Sequence, residues 1–450
     1  MNERPVAAEP RSRWSTVTSR ALSTVGLDRW WRETGCGTAE ALYAIAVLLG
    51  LTLGPVYQVR VQHFGLLKAD FLDDSMVQLT FAAGYAVAVA LLARRWTTWS
   101  GRRAVITLAV LLPLAVFLST AWSLERNRTF GQGVLLFGTT VFALYLADRY
   151  EDGQLVVLIF GALHVGAALS TIVLVRHWNG ARDPLGQWTG IYFNRNSLGP
   201  VAGLGVATGM LLLHRAVSTR RPLAAVGVLA CVLMDGVLLA GSRSATSIGG
   251  LGAFVTVAAV GAVATRAARQ RSWSAGRTAA VAIVPLGAVA IAAVAARAAI
   301  FRVLGKNSTL EGRVPLWKLV WGWIRVHPVR GSGFMSIWNR PDYQEQVQNK
   351  LFTHEPSAHN GYLEVVLGLG FVGGLLLLAL VGVMVARVLR AAWRRPGVPG
   401  VWRVAIVTYV LVVNLQESFI GPNLLVWVLA LAAAMAPTPP ALTTPPAALG

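Results

Sequence analysis

The sequence predicts an all-α polytopic membrane protein of about twelve transmembrane helices, with one long external loop between helices 9 and 10. Three observations carry this. Of 450 residues, 55% are hydrophobic and only 13% charged, about half the charged share of a soluble domain. The apolar residues fall in runs of about 20, the length needed to cross the hydrocarbon core. The arginines gather in alternate connections between those runs.

The runs lie near 39–56, 76–93, 104–121, 132–147, 154–175, 197–214, 222–240, 247–265, 278–296, 361–386, 402–418 and 422–436. The last two are short and interrupted by Asn414, Gln416 and Glu417. With the N-terminus inside, the even-numbered connections are cytoplasmic and read RRWTTWSGRR (94–103), HRAVSTRR (214–221), RAARQRSWSAGR (266–277) and RVLRAAWRRPGVPGVWR (387–403). That side, with the N-terminal arm, holds 23 Lys and Arg, whereas the short connections of the other face hold 8. The bias is the positive-inside pattern. It accounts for most of the formal charge of +20 through anionic lipid headgroups, so a nucleic-acid partner is not expected.

Residues 1–38 form a basic cytoplasmic arm without the apolar core and cleavage site of a signal peptide. Trp14, Val17, Ala21 and Val25 stand at roughly helical spacing there; an interfacial helix and a disordered arm both fit. Residues 39–436 form the transmembrane domain, and the Pro-rich segment 437–450 reads as disordered. Cys36 falls on the arm and Cys231 inside a span, so no disulfide joins them. No Cys/His spacing suits a metal and the external carboxylates do not cluster, so neither metal nor cofactor is expected.

The external loop, residues 298–361, carries the most information. From Glu311 to Gly374 the chain reads EGRVPLWKLVWGWIRVHPVRGSGF, then a polar stretch, then SAHNGYLEVVLGLGFVGG as it re-enters the membrane. Arg195, Arg243 and Arg313 each stand near an external helix end, flanked by Gly, Ser or Asn. Snorkelling to lipid phosphate would explain one such arginine. Three together point to a phosphate clamp, since guanidinium is always charged and bidentate toward phosphate oxygens. His359 caps the helix or handles a proton at neutral pH. Asn360 and Glu364, four apart, share a face if the tenth span begins there. Glu417, near the outer end of the eleventh span, is a second candidate to face the cavity. Asp235 lies inside the seventh span, where an intramembrane carboxylate is costly; it is expected to bond a neighbouring helix. His164, mid-span, is expected to pack or hydrogen-bond. His63, His177, His327 and His354 are external but in less organised surroundings.

WTGIYFNRNSLG (188–199) resembles the W-x-G-x-F-x-x-K/R-N-x-L-G element of bacterial O-antigen ligase and polymerase proteins, particularly their exopolysaccharide-polymerisation branch. LLAGSRSATS (238–247) resembles their S-x-S-K/R-S/T element. GRVPLW, HPVRGSGF and AHNGYLEVVLGLGFVGG resemble, in order, their G-R-x-x-x-W, H-P-x-x-G-x-G and H-N-x-Y/F-L-E with G-x-x-G elements. The set covers roughly residues 186–374. The resemblance implies a membrane-embedded glycosyltransferase of the C type, multi-pass in the bacterial plasma membrane, with its active face external. It implies a polyprenyl-diphosphate-linked glycan as donor, a glycan or lipid hydroxyl as acceptor, and inversion by single displacement. Arg195, Arg243 and Arg313 would then bind diphosphate and His359 would act as base. The candidate catalytic residues are thus His359, Arg313 and Arg243, and the candidate substrate-binding residues Arg195, Asn196, Asn360, Glu364 and Glu417. A lipid-linked oligosaccharide flippase or other multi-spanning transporter is the leading alternative. A shape-and-division peptidoglycan glycosyltransferase, whose motifs are absent, and a structural subunit, which needs no Arg/His set, are the others. Ligase and polymerase are both compatible with the motifs.

Overall fold

The computed structural model describes residues 37–63, 74–94, 101–271, 273–274, 277–278, 281, 313–395, 398–421 and 424–438. Nearly all of the basic arm with Cys36, the ninth expected span, the first part of the external loop and most of the Pro-rich tail lie outside the described residues. The described residues are helical, apart from turns and one isolated bridge between Arg182 and Trp188. The helices are α1 (Thr38–Gly50), α2 (Gly54–Tyr57, continued by a π-helical turn Gln58–His63), α3 (Ser75–Ala93), α4 (Arg103–Ser119), α5 (Arg126–Arg149), α6 (Asp152–Val175), α7 (Arg195–Ser218), α8 (Pro222–Ser242), α9 (Ala245–Gln270), α10 (Arg313–Ile324), α11 (Pro341–Leu351), α12 (Gly361–Arg394), α13 (Val398–Val413) and α14 (Leu425–Met435). Seven of them are long and apolar enough to cross a membrane, and the bent pair α1–α2 makes an eighth. α4, α13 and α14 are shorter apolar helices.

Two expected spans differ from continuous helices. The first breaks at Leu51–Leu53, where Leu53 has φ 63° and the axis bends by 67°. Gly54-Pro55 restarts the helix, as Pro suits a first turn, and the freed Leu51 carbonyl accepts a hydrogen bond from Leu425 N at 3.1 Å. The twelfth is only the 11-residue α14, about 16 Å long at 1.5 Å per residue and too short to cross about 30 Å of hydrocarbon. All eleven of its residues are buried, because α4, α5, α12 and α13 surround it. It is a core helix, which is why it reads as continuous apolar sequence without an outward polar face.

Small residues set the helix spacing, as expected where lipid supplies no hydrophobic drive between helices. A Cβ on Gly138 of α5 would lie 2.1 Å from the Tyr85 ring of α3, and one on Gly250 of α9 would lie 2.7 Å from Val413 of α13. At the end of the bundle opposite the loop, the arginines do more than face lipid. Arg102 pairs with Asp148 at 2.7 Å, Arg149 with Glu40 at 2.8 Å, and Arg403 with Asp152. Arg387 donates to Ala434 O at 2.7 Å and Ala436 O at 3.0 Å, satisfying the open carbonyls at the C-terminus of α14.

The expected polar stretch of the external loop is instead a folded cap. Leu316, Leu319, Val320, Trp323 and Ile324 of α10 pack with Ile337, Trp338, Val347 of α11 and Leu367 of α12. The HPVRGSGF segment is bound to α12 through backbone. α12 is interrupted at Gly370, whose φ of 66° and ψ of −168° lie outside the helix region. Ser332 N donates to Leu367 O at 3.1 Å, Gly333 N to Gly368 O at 2.9 Å, and Phe371 N to Pro328 O at 2.8 Å. A Cβ on Gly331 would meet the Gly368 carbonyl at 2.4 Å, so the glycines of the two motifs are what let these backbones touch.

Asp235 of α8 is fully buried, and its carboxylate lies 2.7 Å from Nε2 of His164 on α6, an ion-pair contact rather than a well-aimed hydrogen bond. A Cβ on Gly205 of α7 would sit 2.2 Å from that carboxylate, so α7 closes over the pair. His164→Leu should lower the unfolding free energy by about 3 kcal/mol, the low end for stranding one member of a buried pair. His164→Leu with Asp235→Leu should recover most of the loss in a thermal-denaturation cycle in detergent. Additive losses would show that the two groups are not coupled.

Candidate functional site

The segment before α7 folds on itself first. Asp183 accepts hydrogen bonds from Leu185 N and Gln187 N at 2.9 and 2.8 Å, and Gly190 turns the chain with φ 59°. Trp188 N then donates to Gly241 O at 3.0 Å, tying this segment to the C-terminus of α8. Asn194 caps α7 by accepting from Ser197 N at 2.9 Å, which fixes Arg195 and Asn196 in its first turn. The Arg195 guanidinium is hydrogen-bonded to the Gln187 carboxamide, and Asn196 is half-buried beside it.

The first turns of α7 and α9 are in contact. A Cβ on Gly199 would lie 2.5 Å from Ser244 and 2.6 Å from Ser247, and those two hydroxyls are 3.1 Å apart. Arg243 stands at the junction of α8 and α9 with φ 50°. Its neighbours Ser242 and Ser244 are buried while Arg243 is exposed, and its guanidinium has no partner among the described residues.

From α9 a polar chain runs to the loop. Thr246 donates to Gln416 Oε1 at 3.1 Å, and Arg313 at the start of α10 reaches the same oxygen at 3.4 Å. Arg313 also pairs with Glu417 Oε1 at 2.5 Å. The other Glu417 oxygen lies 3.1 Å from His359 Nδ1, and His359 Nε2 lies 2.8 Å from Glu355 Oε2. Arg313 and Glu417 are buried, while His359 and Glu355 are half-buried. His359 has φ 47°, an uncommon conformation for a non-glycine residue that often marks a functional position.

Two further residues hold His359 in place. Asn360 caps α12, its carboxamide oxygen accepting from Tyr362 N and Leu363 N at 3.0 Å each while Nδ2 donates to Leu415 O at 3.1 Å. Glu364, buried one turn later, accepts from Trp338 Nε1 at 2.6 Å and Ala358 N at 2.8 Å. Gly361 N donates to both Asn414 O and Glu417 O, so the end of α13 is bound to the start of α12. The structure thus joins His359, Arg313 and Glu417 in one cluster, and places Arg195, Asn196 and Arg243 along the connected α7–α9 rim. Asn360 and Glu364, expected as substrate-binding groups, have their polar atoms engaged by the protein.

Glu355 and Gln416 belong to the cluster and were not among the sequence-derived candidates. The signal for Glu355 is a carboxylate four residues before a histidine, which in a non-helical segment does not by itself bring two side chains together. Gln416 stands beside Glu417 in an interrupted apolar run, the same anomaly that marks Glu417.

Burial alone would lower the basicity of His359. The hydrogen bonds and charges of Glu355 and Glu417 outweigh it and push its pKa up to about 9. Glu417 is held below the usual carboxylate range: burial would raise it, but His359 and Arg313 more than offset this. At neutral pH His359 is therefore an imidazolium with both ring nitrogens donating, whereas the sequence led us to expect a base of ordinary pKa. Below its unfolded pKa of about 6.5 the full stabilisation is present, and it is lost as pH rises through about 9. Unfolding free energy should fall by about 3 kcal/mol across that window, and the pH dependence should vanish in His359→Gln.

Residues 228–378 match the family model described as O-Antigen ligase. No curated protein matches the chain. The matched span holds Arg243, Arg313, Glu355, His359, Asn360 and Glu364, and the apolar helices around it make the chain an integral membrane protein. Over residues 228–378 the chain is similar to the O-antigen ligase family, which supports its resemblance to the O-antigen ligase and polymerase superfamily.

Proposed function

We propose that the protein transfers a glycan from a polyprenyl-diphosphate lipid to an acceptor hydroxyl at the external face of a bacterial plasma membrane. Glycan transfer of the O-antigen ligase or polymerase kind follows from the family match. The observation that supports the finer reading is the convergence, at one end of the bundle, of the cluster Arg313–Glu417–His359–Glu355 with the rim that carries Arg195 and Arg243.

A glycosyl diphosphate already holds its leaving group, so the protein must stabilise the charge that grows on the diphosphate as the anomeric bond breaks. Fixed cations at a water-poor site do this with little reorganisation. Arg243, exposed and unpaired among the described residues, is the cation best placed to receive an incoming anion. Arg195 is oriented by Gln187 in the first turn of α7, where the helix N-terminus adds to the attraction for phosphate. Arg313 is held by Glu417 and keeps guanidinium nitrogens facing the chain that ends at His359. The imidazolium contributes a further positive charge. Displacement from the opposite face of the sugar by the acceptor oxygen gives inversion in one step.

Deleting the gene and extracting polyprenyl-linked glycans tests the activity. Single repeat units should accumulate if the protein polymerises, and long unattached chains if it ligates. Glycans confined to the cytoplasmic leaflet would instead indicate a flippase, and no accumulation would exclude a lipid-linked donor. Arg243→Ala should fold normally and lose about 10²–10³-fold in turnover, the effect of removing one donor to a developing anion. Arg195→Lys should retain more activity than Arg195→Ala, because a point charge serves there. Wild-type turnover in Arg243→Ala would remove that residue from the clamp.

A further inference from the structure

We propose that the Glu355 carboxylate, rather than the His359 ring, takes the proton of the acceptor hydroxyl, with the His359 imidazolium as the positioning group that aims it. This inference rests on the proposed glycan transfer and assigns the proton-handling atom within that site.

Geometry is the first ground. A histidine base needs one ring nitrogen open to the hydroxyl, and both nitrogens of His359 are occupied by carboxylates, Nε2 by Glu355 at 2.8 Å and Nδ1 by Glu417 at 3.1 Å. The two carboxylates are not equivalent. Glu417 is buried, and its two oxygens are taken by Arg313 and His359. Glu355 is half-buried, engages His359 through Oε2 alone, and its Oε1 has no partner among the described residues. Glu355 therefore offers the open proton-accepting atom of the cluster.

Its backbone is held independently of that carboxylate. Gln344 of α11 donates to Glu355 O at 2.7 Å and accepts from Glu355 N at 3.4 Å, and it also donates to Trp338 O at 2.7 Å. Trp338 in turn donates to Glu364 of α12. Three segments thus hold Glu355 next to His359, which is the kind of support a proton-transferring group requires.

Charge is the second ground. The groups facing His359 are Glu355 from its own segment and Glu417 from the α13–α14 connection, the latter backed by Arg313 of α10. Two carboxylates around one ring keep it protonated, and the pKa of about 9 follows from them. An arriving diphosphate is anionic and would hold that proton more firmly. The step balances without the ring changing state. The acceptor oxygen forms its bond to the anomeric carbon, the carbon–oxygen bond to the diphosphate breaks with its electron pair on the diphosphate, and the hydroxyl proton passes to Glu355. The cluster gains one positive charge as the leaving group gains one negative charge.

The two assignments predict opposite signs for one variant. If His359 were the base, Glu355→Gln would remove a carboxylate that keeps the ring protonated, and activity at neutral pH would hold or rise. If Glu355 is the base, Glu355→Gln should lose about 10²–10⁴-fold in kcat at every pH with little change in KM for the donor, and Glu355→Asp should restore part of it. The full chain in lipid nanodiscs would be assayed with lipid-linked glycan extracted from the deletion strain. The wild-type rate should not rise as His359 loses its proton near pH 9. A wild-type rate that climbs toward pH 9, or near-normal turnover in Glu355→Gln, would overturn the assignment. The wild-type profile needs no variant to fold, so it decides the matter even if Glu355→Gln is unstable. Wild-type protein that transfers nothing from that extract would count against the donor proposed above rather than against Glu355.

Discussion

The structure depends on satisfying backbone polar groups where apolar surroundings offer no water. An interrupted helix in such a place must find partners for its freed N–H and C=O groups within the protein. α12 is interrupted at Gly370, and the HPVRGSGF segment fills the gap with backbone hydrogen bonds at Leu367, Gly368 and Phe371. The bend between α1 and α2 is met in the same way by the N-terminus of α14. The first of these contacts fixes the folded cap on α12, and so sets the position of everything the cap carries.

The site is assembled on that foundation by three parts of the chain. The cap brings Arg313 and Glu355, the start of α12 brings His359, and the end of α13 brings Gln416 and Glu417. Buried Glu364 ties the cap to α12, and Gly361 N ties α12 to the end of α13. A buried cluster of alternating charge is stable when each member has a partner, because the desolvation cost of each ion is offset by its neighbours. Here the two carboxylates are matched by one guanidinium and one imidazolium. The cluster is neutral at rest, and the exposed Arg243 is left to face an anion.

The second polar device in the bundle works differently. Asp235 and His164 lie in mid-bundle beneath Gly205, away from the loop cluster in the contacts each makes. Their pairing holds α6 against α8 in the part of the molecule where apolar side chains supply little preference for one neighbour over another.

Composition and charge alternation determined the class: an all-helical membrane chain whose basic connections gather at one end. The motif spacing also marked Arg195, Arg243, Arg313, His359 and Glu417, because charged residues at the ends of apolar runs stand out against a background only 13% charged. Tertiary structure decided what those residues do to one another. Whether His359 is neutral or protonated depends on two carboxylates, one four residues away in a non-helical turn and one 58 residues away, and no local pattern encodes that meeting. The core location of α14 and the break in the first span were likewise hidden, since an apolar run looks the same whether lipid or protein surrounds it. Sequence records which groups carry charge; the fold sets their distances and their access to water, and those two quantities fix a proton's position.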